Sequence, residues 1–351
     1  MTVEDNKGPA RQDSAARPRL QMADVARLAG VSVSTVSRAL SGSELVNPET
    51  RERIAALARE LNYSINLGAK NLRLQRSHII AVVIPYDAAS RQHITDPFFL
   101  SMLGGLADAI TDRGYDMLLS RVDSENLDAA ARLVDSGLAV GVVLIGQWRH
   151  HDQLNMLAAR KLPIVVWGAQ LPQQLYCTVG GDNLFGGRVA TAHLLAQGRR
   201  RIVFLGDPQL PEVERRLEGY RAAHAAAGLA VHDELLLAVP FEVDAARRTI
   251  GQLMASGVAF DAVLGCSDLL AITAMRELRE RGTEVPREVA VVGYDDMPLA
   301  QYCDPPLSSV HQPVSEAGVQ LVDALLALLR GEAVPPRMLD VELVVRRSSS
   351  A

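Results

Sequence analysis

The sequence predicts an α/β protein: a small helical head, then a larger body of parallel sheets with helices on both faces. Three observations carry that reading. From Ile79 onward, short apolar runs alternate with amphipathic helical stretches. The alternation comes in two series, the second starting near Asn183, so the body has two lobes. Ahead of both, Met22 to Gly42 (MADVARLAGVSVSTVSRALSG) holds two short helix patterns with a glycine between them. At 351 residues the chain exceeds one typical core and implies two or three domains.

In the head, Val25, Ala26, Leu28 and Ala29 recur at helical spacing, and Gly30 supplies the backbone freedom that ends the first helix. Ser32 is a suitable N-cap for a second helix, whose buried side is Val36, Ala39 and Leu40. Its exposed side is Val33, Ser34, Ser37 and Arg38, small and polar enough to enter a DNA major groove. An ordinary helical hairpin shares the bare pattern. A third helix follows, with Asn47 as N-cap, Pro48 in the first position, and Ile54, Leu57, Ala58 and Leu61 as its apolar stripe. Arg51, Arg53 and Arg59 lie around it, as solvated charges or with one of them on a phosphate.

This stretch, together with Val46-Asn47-Pro48-Glu49-Thr50-Arg51 and Leu61-Asn62-Tyr63, closely resembles the DNA-binding domain of the lactose-repressor (LacI/GalR) family of bacterial transcription regulators. The resemblance covers roughly residues 20–346 and implies a helix-turn-helix head and hinge helix joined to a two-lobed, periplasmic-binding-protein-like body. It also implies a homodimer on a pseudo-palindromic double-stranded operator, one half-site per subunit. Val33, Ser34 and Arg38 are then the base-edge candidates, and Ser32, Thr35 and Ser37 suit phosphates. Within Ser64 to Ser77, Ala69 and Leu72 match the family's hinge positions, making Leu72 a minor-groove wedge with Lys70 and Arg73 as its groove or phosphate partners. Ile65 replaces the usual proline and Gly68 weakens helicity, which makes hinge ordering more dependent on DNA.

The expected organisation is a disordered tail at 1–19, the helix-turn-helix domain at 20–64, a hinge at 65–77 and an effector-binding and dimerisation body at 78–346. The N-lobe is expected at about 78–178 plus 310–336, and the C-lobe at about 179–309 plus 337–346. Charge follows this division. Residues 1–77 carry 12 Lys and Arg against 8 Asp and Glu, a net +4, which leaves −9 for the remainder. An acidic body is repelled by phosphate and keeps non-specific DNA binding to the head.

Within the body, strands are expected at Ile79 to Ile84, Asp116 to Ser120, Gly141 to Ile145, Ile164 to Trp167, Arg201 to Leu205, near Leu235 to Val239, Ala262 to Gly265, Val289 to Val292 and Leu339 to Val345. The helices between them include Glu214 to Ala227, Leu269 to Arg281 and Val314 to Leu329.

Open α/β sheets bind ligands at the C-terminal ends of their strands. Asp295 after a buried strand, Asp182 at the lobe crossover and Arg216 at a helix start are expected there, where a carboxylate accepts from two hydroxyls and a guanidinium donates to ring or hydroxyl oxygens; a simple cap of the following helix is the alternative for Asp182. By resemblance, Asp295 and Arg216 hold a small effector, with a sugar as the first expectation and a nucleobase-like metabolite the alternative. Phe98, Phe99, Trp167 and Phe241 are candidate apolar walls. Two positions depart from the family: Ser267 replaces an Asn, and Glu212 replaces a Ser. If Glu212 faces the cleft, it disfavours an acidic or phosphorylated ligand.

Other functions are argued against on specific grounds. GGDNLFGG is not a dinucleotide fingerprint, there is no nucleophile elbow or Walker sequence, and His150-His151 lacks further ligands at metal spacing, so neither catalysis nor a metal or cofactor is expected. Cys177, Cys266 and Cys303 have no paired spacing. No apolar run approaches the roughly 20 residues of a membrane helix, and the N-terminal stretch lacks a signal's apolar core. A cytoplasmic regulator is therefore expected; a sugar-binding transport-type protein is the rival, opposed by the DNA-binding head.

Overall fold

The computed structural model describes residues 21–40, 43, 45–61, 77–87 and 93–350. The chain divides into a small unit up to Gln75 and a large one from Arg76.

The small unit contains α1 (Met22–Ala29), α2 (Val33–Leu40) and α3 (Pro48–Glu60). Its core is Val25, Ala26, Ala29, Val36, Ala39, Val46 and Ile54; Leu28, expected on the apolar side of α1, is exposed instead, and Val46 joins the core from the segment before α3. Gly30 closes α1 in the left-handed region at φ 66°, where a side chain would be strained. The Val31 amide then reaches back to the Ala26 carbonyl at 3.0 Å, satisfying one of the carbonyls that a helix end leaves free. Asn47 caps α3 by accepting from the Glu49 amide at 2.9 Å. Arg53 donates to the Ala29 carbonyl at 3.2 Å and so ties α3 to the end of α1.

In the large unit, β1 (Ile79–Tyr86), α4 (Pro97–Asp112), β2 (Asp116–Asp123), α5 (Asp128–Asp135), β3 (Gly141–Ile145), α6 (His151–Ala159), β4 (Ile164–Trp167) and β5 (Cys177–Gly181) form the first series. The second is α7 (Asn183–Ala196), β6 (Ile202–Leu205), α8 (Pro211–Ala226), β7 (Leu236–Leu237), α9 (Val243–Ala255), β8 (Ala262–Gly265), α10 (Asp268–Glu280), β9 (Ala290–Asp295) and β10 (Ser308–His311). The tail supplies α11 (Val314–Leu329), β11 (Arg337–Leu339) and β12 (Glu342–Val344). Two six-stranded sheets result, in the orders β11-β5-β4-β3-β1-β2 and β12-β10-β9-β8-β6-β7. Every pairing is parallel except β10 with β12.

Side-chain alternation explains the layering. Ile80, Val82 and Ile84 of β1 face the core formed with α4 and α11, while Ala81 and Val83 face the core on the other side, with Leu127, Ala130, Leu154 and Leu157 of the α5 and α6 side. A strand buried on both faces reads as an unbroken apolar run, which is what IIAVVI is.

Two expectations need correction. The single tail strand at Leu339 to Val345 is two strands in different sheets: β11 pairs with β5, and β12 with β10. The reason is Asp340, which falls at a crossing between the sheets and interrupts the run. The first sheet therefore takes in strands up to Gly181 and residues 337–339, and the second takes in strands up to His311 and residues 342–344. β5 itself, CTVGG, went unread because glycine weakens the strand signal. Its glycine is required by packing: a Cβ on Gly180 would lie 2.1 Å from the Gly168 carbonyl oxygen.

Candidate DNA-reading helix and candidate ligand cleft

α2 presents its side chains much as its spacing implies. Val36 and Ala39 are buried; Ser32, Val33, Ser34 and Arg38 are exposed; Thr35 and Ser37 are half-buried. The Ser32 hydroxyl accepts from the Thr35 amide at 3.2 Å and lies 2.8 Å from the hydroxyls of both Ser34 and Thr35. Three hydroxyls are thus gathered at the N-terminus of α2, where the helix dipole favours negative charge. Arg59 donates to the Ala55 carbonyl of its own helix and Arg53 to the Ala29 carbonyl, one N–H of each guanidinium. The hinge positions Ala69, Lys70, Leu72 and Arg73 lie outside the described residues.

In the large unit, one cavity is walled by Asp96, Phe98, Phe99, Ile145, Gly146, Trp148, Trp167, Leu210, Glu212, Arg216, Phe241, Ser267, Asp295 and Gln312. Ile145, Trp167 and Asp295 are the last residues of β3, β4 and β9, so the cavity sits at the carboxyl ends of strands from both sheets. Of the eight expected ligand-site residues, the cavity gathers Phe98, Phe99, Trp167, Arg216, Phe241, Ser267 and Asp295. Asp182 is the exception. Its carboxylate caps α7 by accepting from the Phe185 amide at 2.8 Å, and its neighbour Asn183 is what reaches the guanidinium.

Arg216 is 6% exposed and held from three directions. Its Nε donates to Asn183 Oδ1 at 2.8 Å, one Nη donates to the Cys266 carbonyl, and the guanidinium lies 3.7 Å from the centre of the Tyr294 ring. This depends on α8 running very close to α7: a Cβ on Gly187 would lie 2.1 Å from the Arg216 carbonyl oxygen, so the last glycine of GGDNLFGG serves helix packing.

Asp295 ends β9 in the left-handed region at φ 106°, with Asp296 at φ 50°. The turn sends the two carboxylates apart. Asp295 Oδ1 accepts from Gln312 Nε2 at 2.7 Å, whereas Asp296 pairs with Arg346 at 2.7 Å and His311 at 3.2 Å. Burial pushes the Asp295 carboxyl well above its usual range, and the nearby Arg216 charge works against that rise.

Ser267 caps α10, accepting from the Leu270 amide at 3.2 Å. The following Asp268 is buried and accepts from the Met297 amide at 2.6 Å and the Ser309 hydroxyl at 2.5 Å; burial raises its carboxyl to about 7. Phe98 packs 6.2 Å from Trp167 and 5.8 Å from Phe99, ring centre to ring centre, forming one apolar wall.

Sequence reasoning missed Trp148, Gln312 and Asp96. Trp148 and Gln312 both lie just past a strand end, so the strand-end rule applied to β3 and β10 would have found them. Trp148 adopts φ 52°, after Gly146 at φ 94°, which shapes the β3–α6 loop around the cavity. In the same loop Arg149 pairs at 2.5 Å with Asp207, which follows β6 of the other sheet.

Among the described residues, no group of three or more His, Cys, Asp or Glu is arranged to hold a metal ion, and no helix is long and apolar enough to cross a membrane.

A helix-turn-helix head and a two-sheet body with a cleft define a ligand-responsive DNA-binding architecture, and comparison with known proteins agrees. The family model for bacterial regulatory proteins, lacI family, matches residues 21–66, and that for a periplasmic binding protein-like domain matches residues 191–350. The HTH-type transcriptional regulator CelR of Thermobifida fusca is 36% identical over 344 residues, 95% of this chain and 98% of CelR. A solved CelR–cellobiose complex is similar with a TM-score of 0.70 and 32% identity, over 94% of this chain and 100% of that one. The lac repressor dimer bound to operator and the anti-inducer ONPF is similar with a TM-score of 0.82 and 26% identity, over 95% of this chain and 99% of that one. The chain belongs to the lacI family of bacterial regulatory proteins. It is a DNA-binding transcription regulator with a two-lobed, periplasmic-binding-protein-like body.

Proposed function

We propose that this regulator is a cytoplasmic, homodimeric repressor of a carbohydrate-utilisation operon, with no catalytic role, whose effector is a neutral sugar bound in the cleft. One observation carries the ligand class: a buried Asp295–Gln312 pair and a fixed Arg216 guanidinium are framed by Phe98, Trp148, Trp167 and Phe241. Apolar ring faces beside a few fixed polar groups suit a sugar, whose own faces are apolar and whose rim is hydroxyl. The cellobiose bound by CelR supports the same class.

On DNA, α2 of each subunit enters the major groove, with Arg38 reading a guanine, Val33 and Ser34 on neighbouring base edges, and Ser32, Thr35 and Ser37 on phosphates. Leu72 wedges the minor groove beside Lys70 and Arg73. Sugar binding changes the lobe arrangement and with it operator affinity, by linkage of about 1 to 3 kcal/mol.

The chain's only two tryptophans, Trp148 and Trp167, both line the cavity, which gives a direct test. Cellobiose and other neutral sugars are titrated against tryptophan emission, and operator binding is followed in parallel by gel shift. The expected result is a saturable emission change and a shift in operator affinity with the same sugar. A sugar panel that moves neither signal would refute the effector class.

A further inference from the structure

Glu212 is the second residue of α8 and stands one helical turn before Arg216, on the same face and in the same cavity wall. Burial raises its carboxyl, while its own amide, the Arg216 charge and the Gln147 amide act in the opposite sense. Gly146 and Trp148 of the β3–α6 loop line the same cavity, so Glu212 on α8 faces a space bounded by elements of both sheets. Asp96 and Asp295 line the same cavity, which therefore holds three carboxyl groups and one guanidinium. Two of that guanidinium's five N–H groups are taken, by Asn183 and the Cys266 carbonyl, and its face lies on the Tyr294 ring.

We infer that Glu212 sets the charge specificity of the cleft, rejecting ligands that carry a carboxylate or phosphate and accepting hydrogen bonds from uncharged hydroxyls. The inference rests on this cavity being the ligand site, but not on which sugar fills it. A second anionic oxygen brought beside Glu212 in a partly dehydrated wall is strongly repelled, whereas a hydroxyl is a donor to it.

Because Trp148 and Trp167 line this cavity, the field can be read without any effector. Tryptophan emission is quenched with iodide, caesium and neutral acrylamide in the wild type, Glu212→Gln and Glu212→Ser. Caesium should quench the wild type more efficiently than iodide once each is scaled to acrylamide. Both variants should raise the iodide-to-caesium ratio about twofold or more while acrylamide quenching and far-ultraviolet dichroism stay unchanged. A second arm compares cellobiose with cellobiouronic acid, which carries one added carboxylate. The wild type should prefer cellobiose by about tenfold or more, and Glu212→Gln should narrow that gap. Iodide quenching that is equal in wild type and both variants would overturn the inference. Failure of both sugars to bind any form would instead refute the sugar reading and leave the quenching arm to decide the role of Glu212.

Discussion

The head and the cleft handle polar groups in opposite ways. On α2, Ser32, Val33, Ser34 and Arg38 stand in solvent over a small core, and what holds them is the helix itself. In the cleft, Arg216 and Asp295 are almost fully buried and each has a protein partner before any ligand arrives. The difference follows from what each surface meets. DNA brings its own dense charge and water, so exposed side chains on a rigid helix suffice, and affinity is dominated by phosphate contact. A small uncharged ligand brings few interactions, so the protein must fix its polar groups in advance and keep water away. Substitutions on the two surfaces should therefore differ in size and in kind.

The largest effect expected is on the buried side. Asp268 titrates near 7 in the fold, and an ordinary carboxyl near 4 in the unfolded chain. Between those values the folded chain binds more protons, so this group's contribution to stability falls as pH rises from about 4 to 7, on the order of 4 kcal/mol, and levels off above. Melting of the body followed from pH 4.5 to 8 checks this, and Asp268→Asn should flatten the slope. Next, Asp295→Ala removes a fixed acceptor and leaves the Gln312 amide unpaired. Sugar affinity by calorimetry should fall about a hundredfold, with operator binding in the absence of sugar retained. On the head, Arg38→Ala should relax discrimination at one symmetric base position by about 1 to 3 kcal/mol, measured by selection from randomised operators. The smallest effect belongs to Asp207→Asn, which removes the pairing with half-exposed Arg149 at the cleft mouth. Sugar affinity should change by under about 1 kcal/mol. A large effect there would mean that the β3–α6 loop controls the cleft more than its buried wall does.

Much of the fold was legible because spacing encodes it directly. The runs IIAVVI, VVLI and AVLG are strands buried on both faces, and VARLA with VSTVSRAL fits a three-helix core. The cleft was legible where a residue sits at a strand end, as Asp295 and Trp167 do. It was not legible where a role depends on distance along the chain. Asp182 and Asn183 are neighbours, and only the approach of α8 decides that the second, not the first, meets Arg216. Gln312 and Trp148 follow strand ends and were open to the same rule, but the left-handed residues that aim the β3–α6 loop leave no periodic signal. The departure at Glu212 was visible as a residue type, but whether it faced the cleft required the helix start at Pro211 and the placement of the β3–α6 loop.

If the cleft and the reading helix act on one equilibrium, sugar and operator must alter each other's affinity equally. Cellobiose is titrated by Trp148 and Trp167 emission with the full chain free and with it saturated by a selected operator; operator is then titrated with and without cellobiose. Operator should change sugar affinity by the same factor, roughly 5- to 150-fold, by which sugar changes operator affinity. Sugar binding that is identical with and without bound operator would contradict it.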